Sequence, residues 1–182
     1  TSSGGSIMSS DKKMIDKARF LATQARDDKV HYEHSEIGYN YRLSNVSAAI
    51  GIGQLEVLEQ RVNKRREIFQ YYKDQLSDIS EITFTIESEG SFSNRWLSTI
   101  LISEDIQINR EDIRLFLLKD NIEARPLWKP MHLQPIFKDC IIYGGENSEY
   151  LFKNGLCLPS GSNMTFGDLD RVINQIRLCF ER

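Results

Sequence analysis

The feature that most constrains the fold is a proline-free segment, residues 44–76, in which apolar side chains recur every three or four positions. Ser44 is a favourable N-cap at its start. A helix that continues to about Leu76 would be ~50 Å long at ~1.5 Å per residue, which exceeds the width of a small domain. The pattern therefore predicts one long interdomain helix, assigned to residues 44–78, that bridges two domains or subunits.

The region before this helix predicts a shorter helix followed by a long connection. Asp11 can cap a helix that runs to about Ala25, because apolar residues repeat along one face. Residues 26–41 have no sustained period, and connections of that length usually carry function or are disordered. A Ser/Gly-rich start and a strand-like stretch around Ile7 would leave an unpaired sheet edge, which is typical of a chain cut inside a larger domain. We therefore assign residues 1–43 to the end of such a domain.

The second half of the chain alternates between strand and helix patterns. The predicted strands lie at 96–102, 122–125 and 156–158, and the predicted helices begin at Asn109, Asn147 and Thr165. Pro126 and Pro159 are expected to stop the strands that they follow. This alternation predicts an α/β fold in which residues 79–182 form a small C-terminal α/β (α+β) domain.

Composition excludes several classes of partner. The formal net charge is −3, so the chain has no broad positive field for nucleic acid or an anionic membrane. No apolar run approaches the ~20 residues that span a bilayer, and the N-terminus has no basic segment followed by an apolar stretch. We therefore expect a cytoplasmic protein with no nucleic-acid or membrane partner.

The cysteines and histidines do not suggest a metal site. The three cysteines, Cys140, Cys157 and Cys179, are widely spaced, and no two have the separation of zinc ligands. The three histidines also lack metal-ligand spacing. We expect free thiols, with Cys157 and Cys179 buried as small apolar residues, and no metal.

The segment GYNYRLSN, residues 38–45, stands directly before the long helix and carries polar groups suited to an anion. Asn40 offers a donor and an acceptor, and the guanidinium of Arg42 can bind a phosphate or carboxylate with two hydrogen bonds. Helix N-termini also favour anions. Spacing alone leaves open the alternative that this is a helix-entry turn with solvated polar groups.

A second segment, residues 125–135, carries three prolines that predict a stiff, extended course. Such a segment can hold a flat aromatic ring and cationic groups around a phosphorylated ligand, and its histidine could move a proton. The alternative is a surface linker that packs its tryptophan into the core. A third segment, residues 155–162, is a strand running into a Pro/Ser/Gly turn, which could present amides or hydroxyls to a ligand. The side chains concerned in the second segment are Arg125, Trp128, Lys129 and His132.

Five stretches in this order resemble the sugar aminotransferases of the DegT/DnrJ/EryC1/StrS family. The resemblance implies the C-terminal portion of the fold type I architecture, pyridoxal 5'-phosphate (PLP) as cofactor, and homodimers whose active sites lie across the subunit interface. It also implies that the lysine that binds PLP lies just upstream of Thr1, so that no catalytic residue is in this chain. The stretches are TSSGG, GYNYRLSNVSAAIGIGQLEVLE, NRWLSTILI, ARPLWKPMHLQP and GLCLPSGSNMT.

The resemblance also implies roles for individual residues. Asn40 and Arg42 match the pair that reaches the PLP phosphate of the other subunit. Arg95 could meet the nucleotide diphosphate of a substrate, or it could be a surface charge beside a strand. Ser3 and Ser6 stand where the family often has glycine or a larger apolar residue, so that turn is expected to differ. The substrate-side positions are Arg95, Arg125, Trp128, Lys129 and His132.

Among subfamilies, NRWL and RPLWKPMHLQP most resemble enzymes acting on UDP-linked 4-keto-6-deoxy-N-acetylhexosamines in bacterial surface glycan biosynthesis. Glutamate would be the amino donor, and this chain alone would be inactive. Two alternatives stay open: a PLP-dependent sugar dehydratase of the same fold, with histidine in place of the lysine, and a non-catalytic dimerisation or regulatory module.

Overall fold

A computed structural model describes residues 4–181, so the predictions for Thr1–Ser3 lie outside the described residues. The chain forms two compact units, with the boundary between Glu59 and Gln60.

The first unit begins with helix α1, Lys12–Ala22, which is capped by Asp11 as predicted. The carboxylate of Asp11 accepts from the backbone N–H of Lys13 at 2.8 Å. The helix ends earlier than predicted, because Gln24 and Ala25 adopt positive φ angles of 65° and 49°, which a right-handed helix cannot accommodate. Ala25 is nevertheless fully buried.

The long connection predicted at residues 26–41 is confirmed, since none of these residues belongs to a helix or a named strand. Its end returns to α1 through an isolated bridge between Thr23 and Asn40. Gly38 is needed at this return, because a Cβ there would lie 2.5 Å from the backbone nitrogen of Ala25.

The predicted single helix over 44–78 is wrong in one respect: it is two helices, α2 (Asn45–Glu56) and α3 (Leu58–Gln75). Ser44 caps α2 as predicted, and the interruption is at Val57, with φ −109° and ψ 3°. The reason is uneven packing. Helix α2 carries two glycines and buries no side chain, so little holds its last turn in helical geometry. Helix α3 is anchored through Ile68, Phe69 and Tyr72.

The second unit is built on a four-stranded sheet in the order β1-β2-β4-β3, with every neighbouring pair antiparallel. Three further helices complete it, two of them opened by the predicted capping boxes, Asn109 with Asp112 and Thr165 with Asp168. The strands are β1 (Ile82–Phe84), β2 (Ser98–Ile102), β3 (Arg125–Pro126) and β4 (Gly155–Leu158), and the helices are α4 (Arg110–Lys119), α5 (Glu146–Asn154) and α6 (Phe166–Phe180).

Three local predictions for this unit need correction. Strand β1 was not predicted, although Ile82 and Phe84 alternate with polar residues as in a half-buried strand. The predicted strand 122–125 is wrong in its bounds, because β3 comprises only Arg125 and Pro126. The strand does end at Pro126, which an edge strand can accommodate. The segment 125–135 is not extended throughout, since it contains 3₁₀ turns at Met131–Leu133 and Pro135–Phe137. The fixed φ of proline also suits the start of such turns.

The core of the second unit joins apolar side chains of α3, α4 and α6 to those of the sheet. All four residues of β4 are buried, which agrees with its central place in the sheet. Cys157 and Cys179 are buried, as predicted. Trp128 is not in the core, so the alternative of a linker that buries this ring is wrong.

Candidate functional site

In the first unit, Asn40 and Arg42 lie on the wall of one cavity of about 620 Å³. Asn40 is held by its bridge to Thr23. Tyr39 and Tyr41 stack on each other with ring centroids 5.4 Å apart. Because successive side chains of extended backbone point to opposite sides, this alternation separates the tyrosines from the two polar residues.

The cavity is rich in cations that sequence reasoning did not single out. Arg26 and Lys29 line it together with Arg42. Within residues 4–181, neither Lys29 nor Arg42 forms an ion pair. Asp27 also lines the cavity, but its carboxylate already accepts from the backbone N–H and the hydroxyl of Ser35, at 2.8 and 2.9 Å. Asp28 lines the cavity as well, so the three cationic side chains Arg26, Lys29 and Arg42 stand against two carboxylates. The excess of one positive charge and the donor fork of Arg42 suit a phosphate.

In the second unit, Trp128 and Lys129 are exposed on the segment that follows β3. Trp128 is 65% exposed and its ring lies against that of Trp96, which is 57% exposed, with centroids 5.6 Å apart. Arg125 is also exposed, and it forms an ion pair with Glu123 at 2.6 Å. The structure thus brings the NRW and PLWKP segments together, a contact that the sequence did not predict.

His132 is placed differently, because its side chain is only 16% exposed. Its Nε2 lies 2.8 Å from the Oε1 of Glu149, in the first turn of α5. A carboxylate only accepts hydrogen bonds, so Nε2 carries a hydrogen and Nδ1 is left for another partner. Gly145 makes room for the ring, since a Cβ there would lie 2.9 Å from His132 Cε1. Sequence reasoning missed Glu149 because 17 residues separate it from the histidine.

Arg95 is directed into the second unit, with a side chain only 11% exposed. Its guanidinium donates to the carbonyl of Thr85 at 2.9 Å and lies 3.7 Å from the centroid of the Phe69 ring. The alternative of an exposed surface charge is wrong, because the side chain is mostly buried, whereas the nucleotide contact stays a prediction. The structure instead gives Arg95 an internal role in holding the turn before β2.

Within the Pro/Ser/Gly turn after β4, the buried residue is Ser160. The hydroxyl of Ser160 accepts from the backbone N–H of Ser98 at 2.8 Å and donates to the carbonyl of Leu158 at 2.8 Å. Both capacities of a buried hydroxyl are therefore used to join the start of β2 to the end of β4. Ser160 has a structural role, and the suggestion that its hydroxyl meets a ligand is not supported.

Residues 4–181 contain no cluster of three or more His, Cys, Asp or Glu side chains placed to hold a metal ion. Across that same stretch, no helix combines the length and the apolar character that crossing a bilayer requires.

The fold is that of aminotransferases of known structure. PseC of Helicobacter pylori, an aminotransferase involved in the biosynthesis of pseudoaminic acid, matches with a TM-score of 0.82 over 94% of this chain and 47% of its own, at 21% identity. The aminotransferase TlmJ of Streptoalloteichus hindustanus matches with a TM-score of 0.82 over 94% and 46%, at 22% identity. These likenesses confirm the predicted fold class.

The sequence profile of the DegT/DnrJ/EryC1/StrS aminotransferase family matches residues 1–177, and the chain belongs to this family. EpsN of Bacillus subtilis, a protein assigned as a pyridoxal phosphate-dependent aminotransferase, is 52% identical over 95% of this chain and 45% of its own. The UDP-4-amino-4,6-dideoxy-N-acetyl-beta-L-altrosamine transaminase of Campylobacter jejuni is 28% identical over 92% and 46%. The chain thus spans about half the length of these relatives.

Proposed function

We propose that the complete polypeptide transfers an amino group from glutamate to a nucleotide-linked keto sugar, with PLP as cofactor, in bacterial surface glycan biosynthesis. The observation that carries the proposal is the meeting of Asn40 and Arg42 in one cation-lined cavity, in a chain of an aminotransferase family. We further propose that the lysine that binds PLP lies outside these 182 residues, which would then be inactive by themselves.

The residues of the first unit fit the phosphate of PLP. Arg42 supplies a planar donor fork, the amide of Asn40 supplies one more donor, and Arg26 and Lys29 add positive charge to the same cavity. When bound, PLP supplies the electron sink for moving an amino group. The contribution of this chain is to orient the cofactor by its phosphate, and we place that phosphate in the active site of the partner subunit of a homodimer.

The residues of the second unit are proposed to face the substrate. Trp128 and Lys129 are exposed and free to contact it, and Arg125 is exposed beside Glu123. His132 can accept a hydrogen bond from a substrate hydroxyl through Nδ1, because Glu149 occupies Nε2. Arg95 is left out of this set, because its guanidinium is engaged inside the protein.

We propose a UDP-linked 4-keto-6-deoxy-N-acetylhexosamine as the substrate. The proposal rests on the NRWL and RPLWKPMHLQP stretches, and the name of the Campylobacter jejuni relative supports it. The name of a second relative, a GDP-perosamine synthase of Vibrio cholerae that is 29% identical, makes a GDP-linked sugar the comparison to include.

The test begins with the complete polypeptide incubated with PLP and reduced with borohydride. Peptide mass spectrometry should find the adduct on a lysine outside residues 1–182. Glutamate should then be consumed when the UDP-linked keto sugar is supplied, and more slowly with the GDP-linked sugar. If no adduct forms and a histidine stands at the position expected for the lysine, the assignment moves to the dehydratase. If there is neither an adduct nor glutamate consumption, the protein is a non-catalytic module.

A further inference from the structure

Two tryptophans lie together on the surface of the second unit, and only one of them belongs to the proposed site. The rings of Trp96 and Trp128 are tilted by 37° with centroids 5.6 Å apart. Tryptophan is on average a highly buried residue, yet both rings are more than half exposed. Their contact with each other, rather than with the core, leaves a broad aromatic surface open on this unit.

The backbone that carries Trp96 is held from several directions. Arg95 has a φ of 46°, a conformation that residues other than glycine rarely adopt. The mostly buried guanidinium of Arg95 keeps this turn in place through Thr85 and Phe69. The N–H of Trp96 donates to the side chain of Asn94 at 3.1 Å, and Arg65 donates to the carbonyl of Trp96. Trp96 is thus preorganised rather than left free on a loop.

Trp128 is held by a stiff stretch of chain. It lies between Pro126, in the edge strand β3, and the buried Pro130, and both prolines restrict the backbone. Lys129 follows directly, is exposed, and makes no ion pair within the part of the chain that the structure describes. A fixed aromatic surface therefore has an available cation beside it.

We infer that Trp96 and Trp128 form a stacking platform for the planar base of the nucleotide-linked substrate, that Lys129 binds its phosphates, and that Arg95 is a positioning residue that fixes Trp96. The inference deepens the proposed function and rests on it. The base is the one flat aromatic part of such a substrate, and aromatic side chains bind bases by stacking with little dependence on sequence. The same platform can accept uracil or guanine.

The experiment uses the complete PLP-loaded polypeptide and isothermal titration with UDP, GDP and the nucleoside uridine as separate probes. Trp96→Ala and Trp128→Ala should each weaken the binding of UDP about tenfold, as expected for loss of one stacking contact. Trp96→Phe and Trp128→Phe should keep the Kd within about threefold, because a stacking ring remains. Tyr143→Ala is the matched control, since Tyr143 is a 92% exposed aromatic residue of the same unit.

Two further variants separate the roles. Lys129→Ala should weaken the binding of UDP about fivefold and leave the Kd of uridine unchanged, because uridine has no phosphate. The tryptophan variants should instead weaken the binding of UDP and of uridine by the same factor. Arg95→Lys should weaken the binding of both UDP and uridine as Trp96→Ala does. A lysine cannot reproduce the contacts of the guanidinium with Thr85 and Phe69, so the turn that carries Trp96 is no longer fixed. Wild-type Kd values in Trp96→Ala and Trp128→Ala would overturn the inference, and so would a lower Tm with unchanged Kd, since the rings would then pack against other parts of the protein.

The proposed amino transfer is read separately, from the change in cofactor absorption when glutamate alone is added. The control variant Tyr143→Ala should keep this half-reaction at the wild-type rate, because Tyr143 is an exposed residue outside the proposed site. If the wild-type protein lacks the half-reaction while Trp96→Ala and Trp128→Ala still weaken UDP binding, the platform stands and the proposed function falls.

Discussion

At the scale of single residues, Glu87 shows how a carboxylate organises a turn that precedes β2. Its Oε1 accepts from Arg66 at 2.6 Å and from the backbone N–H of Ser93 at 2.6 Å, and Arg95 lies 4.0 Å away. These contacts, first of all the hydrogen bond from Arg66, lower the pKa of Glu87 to about 2. The folded state therefore prefers the ionised carboxylate.

This preference predicts a pH-dependent effect of Glu87→Gln. A lowered pKa contributes stability that is present above the ordinary value near 4.5 and is lost as the pH falls towards 2. The variant should have a lower urea midpoint than wild type at pH 7, and the gap should close between pH 4.5 and 2. The control is Glu89→Gln, in the same turn but exposed. If the difference in urea midpoint does not change with pH, Glu87 stabilises the turn through its packing and not through its charge.

The residue types suited to binding an anion could be predicted from the sequence, but the directions of their side chains could not. Asn40 and Arg42 were chosen for their donors, and both do line one cavity. Arg95 was chosen for the same chemistry, yet it turns inward onto Phe69. The direction of the Arg95 side chain depends on the ring of Phe69, which is 26 positions away in the chain. The residues around Arg95 in the sequence carry no information about that contact.

At the scale of elements, the junction of α5 and β4 depends on Gly155. Its φ of −91° is open to any residue, so the backbone does not require glycine. The available space does require glycine, because a Cβ at this position would lie 2.1 Å from the Cδ1 of Leu127 and 2.4 Å from the carbonyl oxygen of Leu151. The tight approach lets the N–H of Leu127 donate to the carbonyl of Gly155 at 3.2 Å, beyond the end of β3.

Gly155→Ala should therefore destabilise the protein by about 1–3 kcal/mol, the usual cost of overpacking. The free energy of unfolding can be measured by urea titration followed by circular dichroism. Gly167→Ala is the matched control, because the nearest atom to its Cβ is the Oγ1 of Thr165 at 3.8 Å and it lies in the first turn of α6. That variant should be neutral or stabilised by up to about 1 kcal/mol. Equal losses in both variants would contradict the steric explanation.

The elements predicted well are those with local signals. Asp11, Asn109 and Thr165 each cap a helix because the cap and the N–H groups it binds are within three residues of each other. The end of α2 at Val57 and the pairing of β1 with β2 depend instead on packing between distant segments. A prediction from apolar periodicity continues the helix across such a break, because the pattern shows only which face of the helix is apolar.

At the scale of the whole molecule, α2 is an apolar helix with no buried residue. Its residues are mostly apolar, none of them is buried, and Val46, Ile52 and Leu55 are largely exposed. A helix that is apolar all round is normally buried inside a larger structure. The chain spans about half the length of its relatives, so a larger assembly that covers α2 is consistent with the proposed homodimer.

The proposed dimer predicts complementation between two inactive proteins. One subunit carries Asn40→Ala and Arg42→Ala, and the other lacks the PLP-binding lysine. If Asn40 and Arg42 serve the cofactor of the partner, the mixed dimer has one intact site and should regain about half of the wild-type activity per dimer. Activity is measured on dimers purified through two different tags.

The matched control replaces Asn40→Ala, Arg42→Ala with Arg19→Ala, an exposed arginine of the same unit outside the cavity. A dimer of two Arg19→Ala subunits should keep wild-type activity. If mixed dimers of the first kind stay inactive while each parent still dimerises, the two residues serve their own subunit and the shared site is wrong.

The sequence by itself determined the family, the fold class, the helix caps and the stretches that contain the candidate site. These follow from short-range patterns, in which the residues that interact are close along the chain. Tertiary structure alone decided that Arg95 is internal, that Glu149 holds His132, and that Trp96 meets Trp128. Each of these contacts joins residues 17 to 32 positions apart, because packing and the antiparallel sheet select partners by position in space, which no local pattern encodes.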